Sequence, residues 1–255
     1  MKLLALLFLL NSCSTQLLKS EPSQGKTTYS YADVSGSYRL NRESRQIKQK
    51  LVTRNQLLDT KGGNAKVLEK TIMVSQIGSI KGGKSRILTV RPVASEFTVW
   101  LEGKKYHSRM QLNEKNKSMR LTLDSPDPKW QGQSEVKFPK GKYFCFFSQI
   151  PECLYHNYHL TLAHESRNKR YDFYVVWDGY PYIQDQLTRV GQSLFAPAIL
   201  KFDGEINGQF RYIVEVEGQM ILYHFTRSYD LVKIAWIAQG ITVVPPGEEV
   251  ETDDE

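Results

Sequence analysis

The feature that most constrains the fold is an alternation of apolar and polar residues over much of the chain, interrupted by turns that contain glycine or asparagine. A period of two places the apolar side chains on one face of an extended strand. The dipeptide Asn207-Gly208 is the strongest hairpin signal, because a type I′ turn needs positive φ at both central positions. In the last third of the chain the pattern predicts strands over 198–206, 209–216, 219–226, 231–238 and 241–244.

Similar patterns precede this region. Residues 95–101, 106–112 and 119–123 predict a second meander, and the Gly-Gly turns at 62–63 and 82–83 bracket a long hairpin strand over 67–77. A further hairpin is predicted to pair 158–162 with 171–177.

Two segments are ambiguous. Residues 41–58 fit either a helix face or a strand, with the strand favoured, and 182–195 carries apolar residues at the spacing of one short helix.

The chain therefore predicts an all-β fold with at most one or two short helices. We expect a single antiparallel meander domain over residues 31–246, built as a half-open or closed barrel, or alternatively as a two-sheet sandwich. Of the 255 residues, 40% are hydrophobic and 24% charged, which excludes wholesale disorder, collagen and a multi-span membrane protein.

The amino terminus has the form of an export signal. Lys2 precedes eight apolar residues, 3–10, which span only about 12 Å and are too few for a membrane helix. Leu10, Asn11, Ser12 and Cys13 follow. This arrangement resembles the signal peptides of bacterial lipoproteins, in which a cysteine follows a leucine and two small residues.

The resemblance implies cleavage before Cys13, acylation of that residue, and residence in a Gram-negative envelope. Ser14 after the cysteine implies an outer-membrane lipoprotein that faces the periplasm or the surface. Residues 1–12 are then the signal peptide. Residues 13–30 are expected to form a lipidated, flexible tether, and residues 247–255 an acidic disordered tail.

The remaining cysteines are Cys145 and Cys153. An even number in an exported protein predicts a disulfide, and Pro151 bends the chain between them. Two buried free thiols are the alternative.

Charge is unevenly distributed. Residues 14–120 hold 21 Lys and Arg against 8 Asp and Glu, whereas residues 121–255 hold 12 against 19. A basic half on a tethered domain can rest against anionic head groups, or its lysines can serve as solvated strand faces that prevent aggregation. Export argues against a nucleic-acid partner.

The segment 171–182 is unusually rich in aromatic residues. Phe173, Trp177, Tyr180 and Tyr182 are candidate residues for binding a lipid or another amphipathic ligand, and the alternative is that these rings form the core.

Catalytic and metal signals are weak. Ser193 lacks the glycine pattern of a nucleophile elbow. His156, His159 and His164 would point apart on a predicted strand, so we expect no metal site and no cofactor. Paired carboxylates drawn from Asp172, Asp178, Asp185 and Glu205 would suit a periplasmic hydrolase.

The functional hypothesis is a membrane-anchored envelope lipoprotein without catalytic activity, which binds a lipid or other amphipathic envelope ligand or assists envelope assembly. Its expected partners are the membrane, through the amino-terminal lipid, and a lipid or anionic envelope ligand. The alternatives are the hydrolase and a structural or partner-binding surface lipoprotein. The sequence does not specify an oligomeric state.

Overall fold

A computed structural model describes residues 26–33, 37–82, 85–141, 143–166, 169–182 and 193–245. The first strands are β1 (Lys26–Asp33), β2 (Tyr38–Ile47), β3 (Lys50–Asp59), β4 (Lys66–Gly82), β5 (Ser85–Leu101), β6 (Lys104–Asn113), β7 (Ser118–Asp124), β8 (Gly132–Lys137) and β9 (Phe144–Phe146). Two helices follow, α1 (Ile150–His156) and α2 (His159–Glu165). The remaining strands are β10 (Tyr171–Val176), β11 (Phe195–Ile206), β12 (Gln209–Val216), β13 (Gln219–Phe225), β14 (Leu231–Trp236) and β15 (Ile241–Val244).

The strands form one sheet in the order β8-β7-β6-β5-β4-β3-β2-β1-β15-β14-β13-β12-β11-β10-β9. Strands β8 and β9 are its two edges, so the barrel is not closed. The sheet curls until its two halves face each other, and Met73 and Met110 of one half pack in the same cluster as Phe146 and Val176 of the other. The predicted all-β class with at most one or two short helices is confirmed. The described sheet is open, which fits the half-open barrel or the two-sheet sandwich and not the closed barrel.

The hairpin turns follow from local chemistry. Asn207 and Gly208 both have positive φ, 49° and 74°, and so do Glu217 and Gly218, at 49° and 78°. These are the turns that the sequence predicted, and they set the β11–β12 and β12–β13 registers. Residues 41–58 lie almost wholly in β2 and β3, as the favoured strand interpretation required.

Strand β1 begins at Lys26, within the range predicted for the tether, so residues 26–30 belong to the sheet. It pairs with β2 along seven residues and with β15 through Ala32 and Asp33. Strand β1 therefore joins the two halves of the sheet. Residues 13–25 and 246–255, which include Cys13 and the acidic tail, lie outside the described residues, as does most of the predicted helix at 182–195.

The predicted hairpin between 158–162 and 171–177 is wrong, because residues 159–165 form α2. Pro151 in the first turn and buried Ile150, Cys153 and Leu154 give α1 an apolar face at helical spacing. Strand β10 instead pairs with β11 and, in parallel, with β9. The parallel pair also departs from the predicted antiparallel meander.

The two inner faces of the sheet differ in polarity. Strands β11 to β13 bury Leu200, Tyr212, Val214 and Phe225. The facing strands β2 to β6 bury many polar side chains, namely Arg42, Ser44, Thr53, Asn55, Thr71, Ser75, Ser95 and Ser108. Buried polar groups need partners, so this half of the sheet requires hydrogen bonds from the elements packed against it.

Candidate functional site

The predicted disulfide is present. Cys145 of β9 and Cys153 of α1 are bonded, with their Cα atoms 5.8 Å apart. The bond connects α1 to an edge strand. Asn157, which follows α1, accepts a hydrogen bond from the Val90 backbone N–H on Oδ1 at 2.7 Å, so the helix also contacts β5.

The predicted aromatic site is part of the core. Trp177 has no exposed surface, Tyr182 is 1% exposed and Phe173 is buried, whereas Tyr180 is half-buried. The Trp177 ring packs on Phe147, with centroids 4.5 Å apart. Phe173 and Val175 on one face of β10 and Val176 on the other are buried, which is the core alternative for this strand.

Tyr182 acts as a brace between two parts of the molecule. Its hydroxyl donates to the His107 carbonyl at 2.9 Å, and its ring contacts those of Tyr106 and Trp130. These contacts hold the segment after β10 against β6.

The candidate histidines lie on helices and not on a strand, so the geometric reason given for excluding a shared metal is wrong. His159 packs against Tyr143 and His164 against Phe210, with ring centroids 4.5 and 4.4 Å apart. Burial lowers the pKa of His159 from 6.5 to about 4, so its ring is neutral at pH 7. Within the described ranges, no group of three or more His, Cys, Asp or Glu residues could hold a metal ion.

The described members of the predicted carboxylate set, Asp172, Asp178 and Glu205, are dispersed. Asp172 is exposed, Glu205 forms an exposed ion pair with Arg227, and Asp185 lies outside the described residues. Asp178 is buried and accepts hydrogen bonds from the Ser148 backbone N–H at 3.0 Å and hydroxyl at 2.8 Å. Burial raises its pKa, although the bonds from Ser148 oppose that shift.

Asp178 belongs to an interior polar cluster with Arg42, Asn55, Ser148 and Glu152. Arg42 is 4% exposed and donates to Asn55 Oδ1 at 3.2 Å, to the Ser148 carbonyl and to the Glu152 carboxylate. The cluster joins β2 and β3 to α1 and to the turn after β10. The cluster supplies hydrogen-bond partners for polar side chains on the inner face of strands β2 and β3.

Glu69 of β4 lies on the same inner face. Desolvation, followed by the charge of Asp178, raises the pKa of its carboxyl from 4.5 to about 7, against an opposing hydrogen bond from Thr71. Sequence analysis missed Arg42, Glu69 and Glu152. A sequence signal for Arg42 was available, because residues 40, 42 and 44 share one face of a strand and that face is inward. A charged residue at an inward position predicts a buried polar partner.

An accessible concave feature of the described residues is a groove of about 350 Å³ over β2, β3 and β4, which we call the outer groove. Its lining residues are Asn41, Arg42, Glu43, Arg54, Asn55, Gln56, Lys70, Thr71 and Ile72.

Alternation shows on which face of the sheet the groove lies. Arg42, Asn55 and Thr71 are register neighbours with buried side chains, so they contribute the floor through their backbone. The walls are two outward rows, one of Asn41, Gln56 and Lys70, the other of Glu43, Arg54 and Ile72.

The walls combine cationic, anionic, amide and apolar groups. Arg54 lies 3.7 Å from Glu43 and is 51% exposed, and the Lys70 ammonium stands over the Trp100 ring at 6.0 Å. Ile72 is 39% exposed. This chemistry suits a small anionic group that carries an apolar portion, such as a lipid head group.

No helix in the described part of the chain is both long enough and apolar enough to span a membrane. The chain matches no protein-family model, no curated protein and no solved structure.

Proposed function

We propose that this chain is a membrane-anchored envelope lipoprotein, acylated at Cys13, that has no catalytic role and binds an anionic, amphipathic envelope ligand in the outer groove. The observation that carries the ligand proposal is the groove itself. It places Arg54 and Lys70 beside exposed Ile72 over a hydrogen-bonded strand floor.

The burial of the aromatic segment supports the choice of this groove. Trp177 and Tyr182 are enclosed by core side chains, so a ligand would have to displace packed rings to reach them. The outer groove requires no such displacement. Of the carboxylates in the hydrolase hypothesis that the structure describes, Asp172 and Glu205 are exposed and separate from Asp178, whose oxygens accept hydrogen bonds from Ser148.

The anchoring part of the proposal rests on the amino-terminal pattern of residues 3–13. A single acyl chain binds a bilayer only marginally, whereas the several chains of an acylated cysteine hold firmly. Replacement of Cys13 by Ala should therefore release the protein from sedimented membranes. Mass spectrometry of the wild-type protein should find an acylated Cys13 as the first residue. Retention of the variant in membranes, or an unmodified Cys13, would contradict the proposal.

The ligand part is tested by titrating the purified protein with a short-chain phosphatidylglycerol below its micelle concentration. The double variant R54A/K70A should bind it at least tenfold more weakly, because each lost charge-assisted contact is worth more than about 1 kcal/mol. The matched control is K104A/K105A, which removes two exposed lysines from the β5–β6 turn. Equal affinity for the wild type and R54A/K70A would exclude the groove.

A further inference from the structure

Three side chains in the walls of the outer groove carry donors that make no hydrogen bond within the described part of the chain. They are Arg54, Gln56 and Lys70. The Arg54 guanidinium lies 3.7 Å from Oε1 of Glu43, beyond hydrogen-bond distance, and the Lys70 ammonium stands 6.0 Å from the centre of the Trp100 ring. These donors are therefore free to bind a ligand.

The strand register brings the three donors together. Gln56 of β3 pairs with Lys70 of β4, and Arg54 pairs with Ile72, so the four residues form two adjacent cross-strand pairs on the outer face. Paired Cβ atoms lie about 5 Å apart, and successive outward residues of one strand lie about 7 Å apart. A single small anion above this rectangle is within reach of all three donor side chains.

The walls of the groove carry more positive than negative charge. Their acidic residue is Glu43, which accepts hydrogen bonds from Arg45 in addition to its contact with Arg54. When Glu43 is counted against Arg45, Arg54 and Lys70, two positive charges remain unbalanced. A doubly charged anion would balance them.

Other acidic residues near the groove do not remove this excess. Glu96 of β5, the next outward residue across the sheet, forms an ion pair with Arg109 at 2.9 Å. Glu69 and the interior polar cluster lie on the inner face, where Glu152 is paired with Arg42. The sheet separates these interior acids from a ligand in the groove.

Apolar side chains continue from the donors in one direction. Ile72 is 39% exposed, and Val74 is the next outward residue of β4. Val74 pairs with Val52 of β3 and with Ala94 of β5, and all three side chains are half-buried. The outer face of β4 therefore changes from cationic at Lys70 to apolar at Val74.

We propose that the ligand of the outer groove is a phosphate monoester that carries an apolar chain. Arg54, Gln56 and Lys70 bind the phosphate, and the chain lies along Ile72 towards Val74. A phosphate monoester has three terminal oxygens and close to two negative charges, which match the three donors and the two unbalanced positive charges. A diester has one terminal oxygen and one charge fewer. The inference rests on the proposed function, because it names the chemistry of the ligand for the same groove.

Calorimetric titration of the purified protein with two matched ligands tests the phosphate. Octyl phosphate is a monoester, and methyl octyl phosphate is a diester with the same chain. At about pH 8, above the second pKa of about 6 of a phosphate monoester, the protein should bind octyl phosphate about tenfold more tightly than the diester. Inorganic phosphate, which has no chain, should bind much more weakly than octyl phosphate.

The variant Q56A tests the third donor. It should lower the affinity for octyl phosphate about tenfold and the affinity for methyl octyl phosphate less than about threefold, because the diester offers one acceptor fewer. The control is Q133A, which truncates an exposed glutamine of β8, four strands away from β4, and should change neither affinity. Circular dichroism should show that both variants are folded.

A second pair of variants tests the position of the chain. In the wild type, the affinity should rise about tenfold from butyl phosphate to octyl phosphate, because part of the added chain leaves water. The variant I72T places a hydroxyl group beside the chain and should reduce this rise at least about threefold. The control I213T makes the same change at an outward position of β12 and should preserve the rise.

Equal affinities of the wild type for octyl phosphate and methyl octyl phosphate, or of Q56A and the wild type for octyl phosphate, would overturn the inference. The proposed function would survive either result if R54A/K70A still weakened the binding of phosphatidylglycerol. An equal chain-length effect in I72T and the wild type would overturn the placement of the chain. Failure of the wild type to bind any of these ligands, phosphatidylglycerol included, would defeat the inference together with the ligand part of the proposed function.

Discussion

At the scale of the residue, the interior polar cluster depends on Arg42, which donates to groups on three other elements. Replacement of Arg42 by Ala leaves the Glu152 carboxylate and the Ser148 carbonyl without this donor. Breaking a buried ion pair from one side costs about 3 kcal/mol or more.

We therefore expect R42A to lower the free energy of unfolding by about 3 kcal/mol in urea denaturation. The control is R45A, because Arg45 forms a more exposed pair with Glu43 and its loss should cost less than about 1 kcal/mol. Similar losses for both variants would argue against a central role for Arg42.

Glu69 makes the stability of the protein depend on pH, because its pKa is higher in the folded state than in the unfolded chain. Its pKa is about 7 in the folded protein, against 4.5 for an unperturbed glutamate side chain. The unfolded chain releases this proton first as the pH rises, so the wild-type protein loses stability between about pH 4.5 and 7.

The variant E69Q should remove that loss. Since the side chain is partly exposed, we expect E69Q to be about 1 to 2 kcal/mol more stable than the wild type at pH 8 and nearly equal to it at pH 4. Urea denaturation followed by tryptophan fluorescence at both pH values measures this, with E96Q on the outer face as the control. A pH-independent difference between E69Q and the wild type would contradict the assignment.

At the scale of the element, the disulfide between β9 and α1 holds a short helix that has few residues of its own to stabilise it. The bond closes a loop with a sequence separation of 8 residues. On the chain-entropy model such a loop is worth about 2.5 kcal/mol.

The free energy of unfolding of the variant C145A/C153A should therefore be about 2.5 kcal/mol lower than that of the wild type. The effect of dithiothreitol provides the internal control. It should destabilise the wild type by a similar amount and leave the double variant unchanged. Sensitivity of the double variant to the reductant would show that another thiol-dependent process is responsible.

At the scale of the whole molecule, β1 is the strand that connects the two halves of the sheet, between β2 and β15. Its contact with β15 involves only two residue pairs. Because β1 lies between β2 and β15 in the sheet, its removal breaks the hydrogen-bonded connection between the two halves. We therefore expect the halves to separate when β1 is removed.

A chain that begins at Lys26 should keep the cooperative thermal transition and near-ultraviolet circular dichroism of the chain that begins at Ser14. A chain that begins at Tyr38 lacks β1 and should lose both. A cooperative transition in the shorter chain would show that the facing surfaces alone hold the halves together.

Local chemistry determined much of the strand pattern. The turns at Asn207-Gly208 and Glu217-Gly218 could be predicted because positive φ at both central positions depends on the turn residues themselves and not on residues distant in the chain. For residues 41–58 the sequence only favoured strands over a helix, and the alternation behind that choice appears in the burial of the β2 and β3 side chains.

The candidate site was far less predictable. Asn41 and Lys70 line one wall of the outer groove only because three strands align in one register, and no local pattern specifies that alignment. Likewise, Arg42 and Glu152 are 110 residues apart in the chain.

The sequence by itself determined the β11–β12 and β12–β13 hairpins and the all-β class, because turn conformation and strand alternation act between near neighbours. It also favoured the pairing of Cys145 with Cys153, because an even number of cysteines remained beside Cys13. Only the tertiary structure decided that residues 159–165 are helical, that β9 runs parallel to β10, and that Trp177 is core. Each of these depends on which surface covers the segment, and that surface comes from distant parts of the chain.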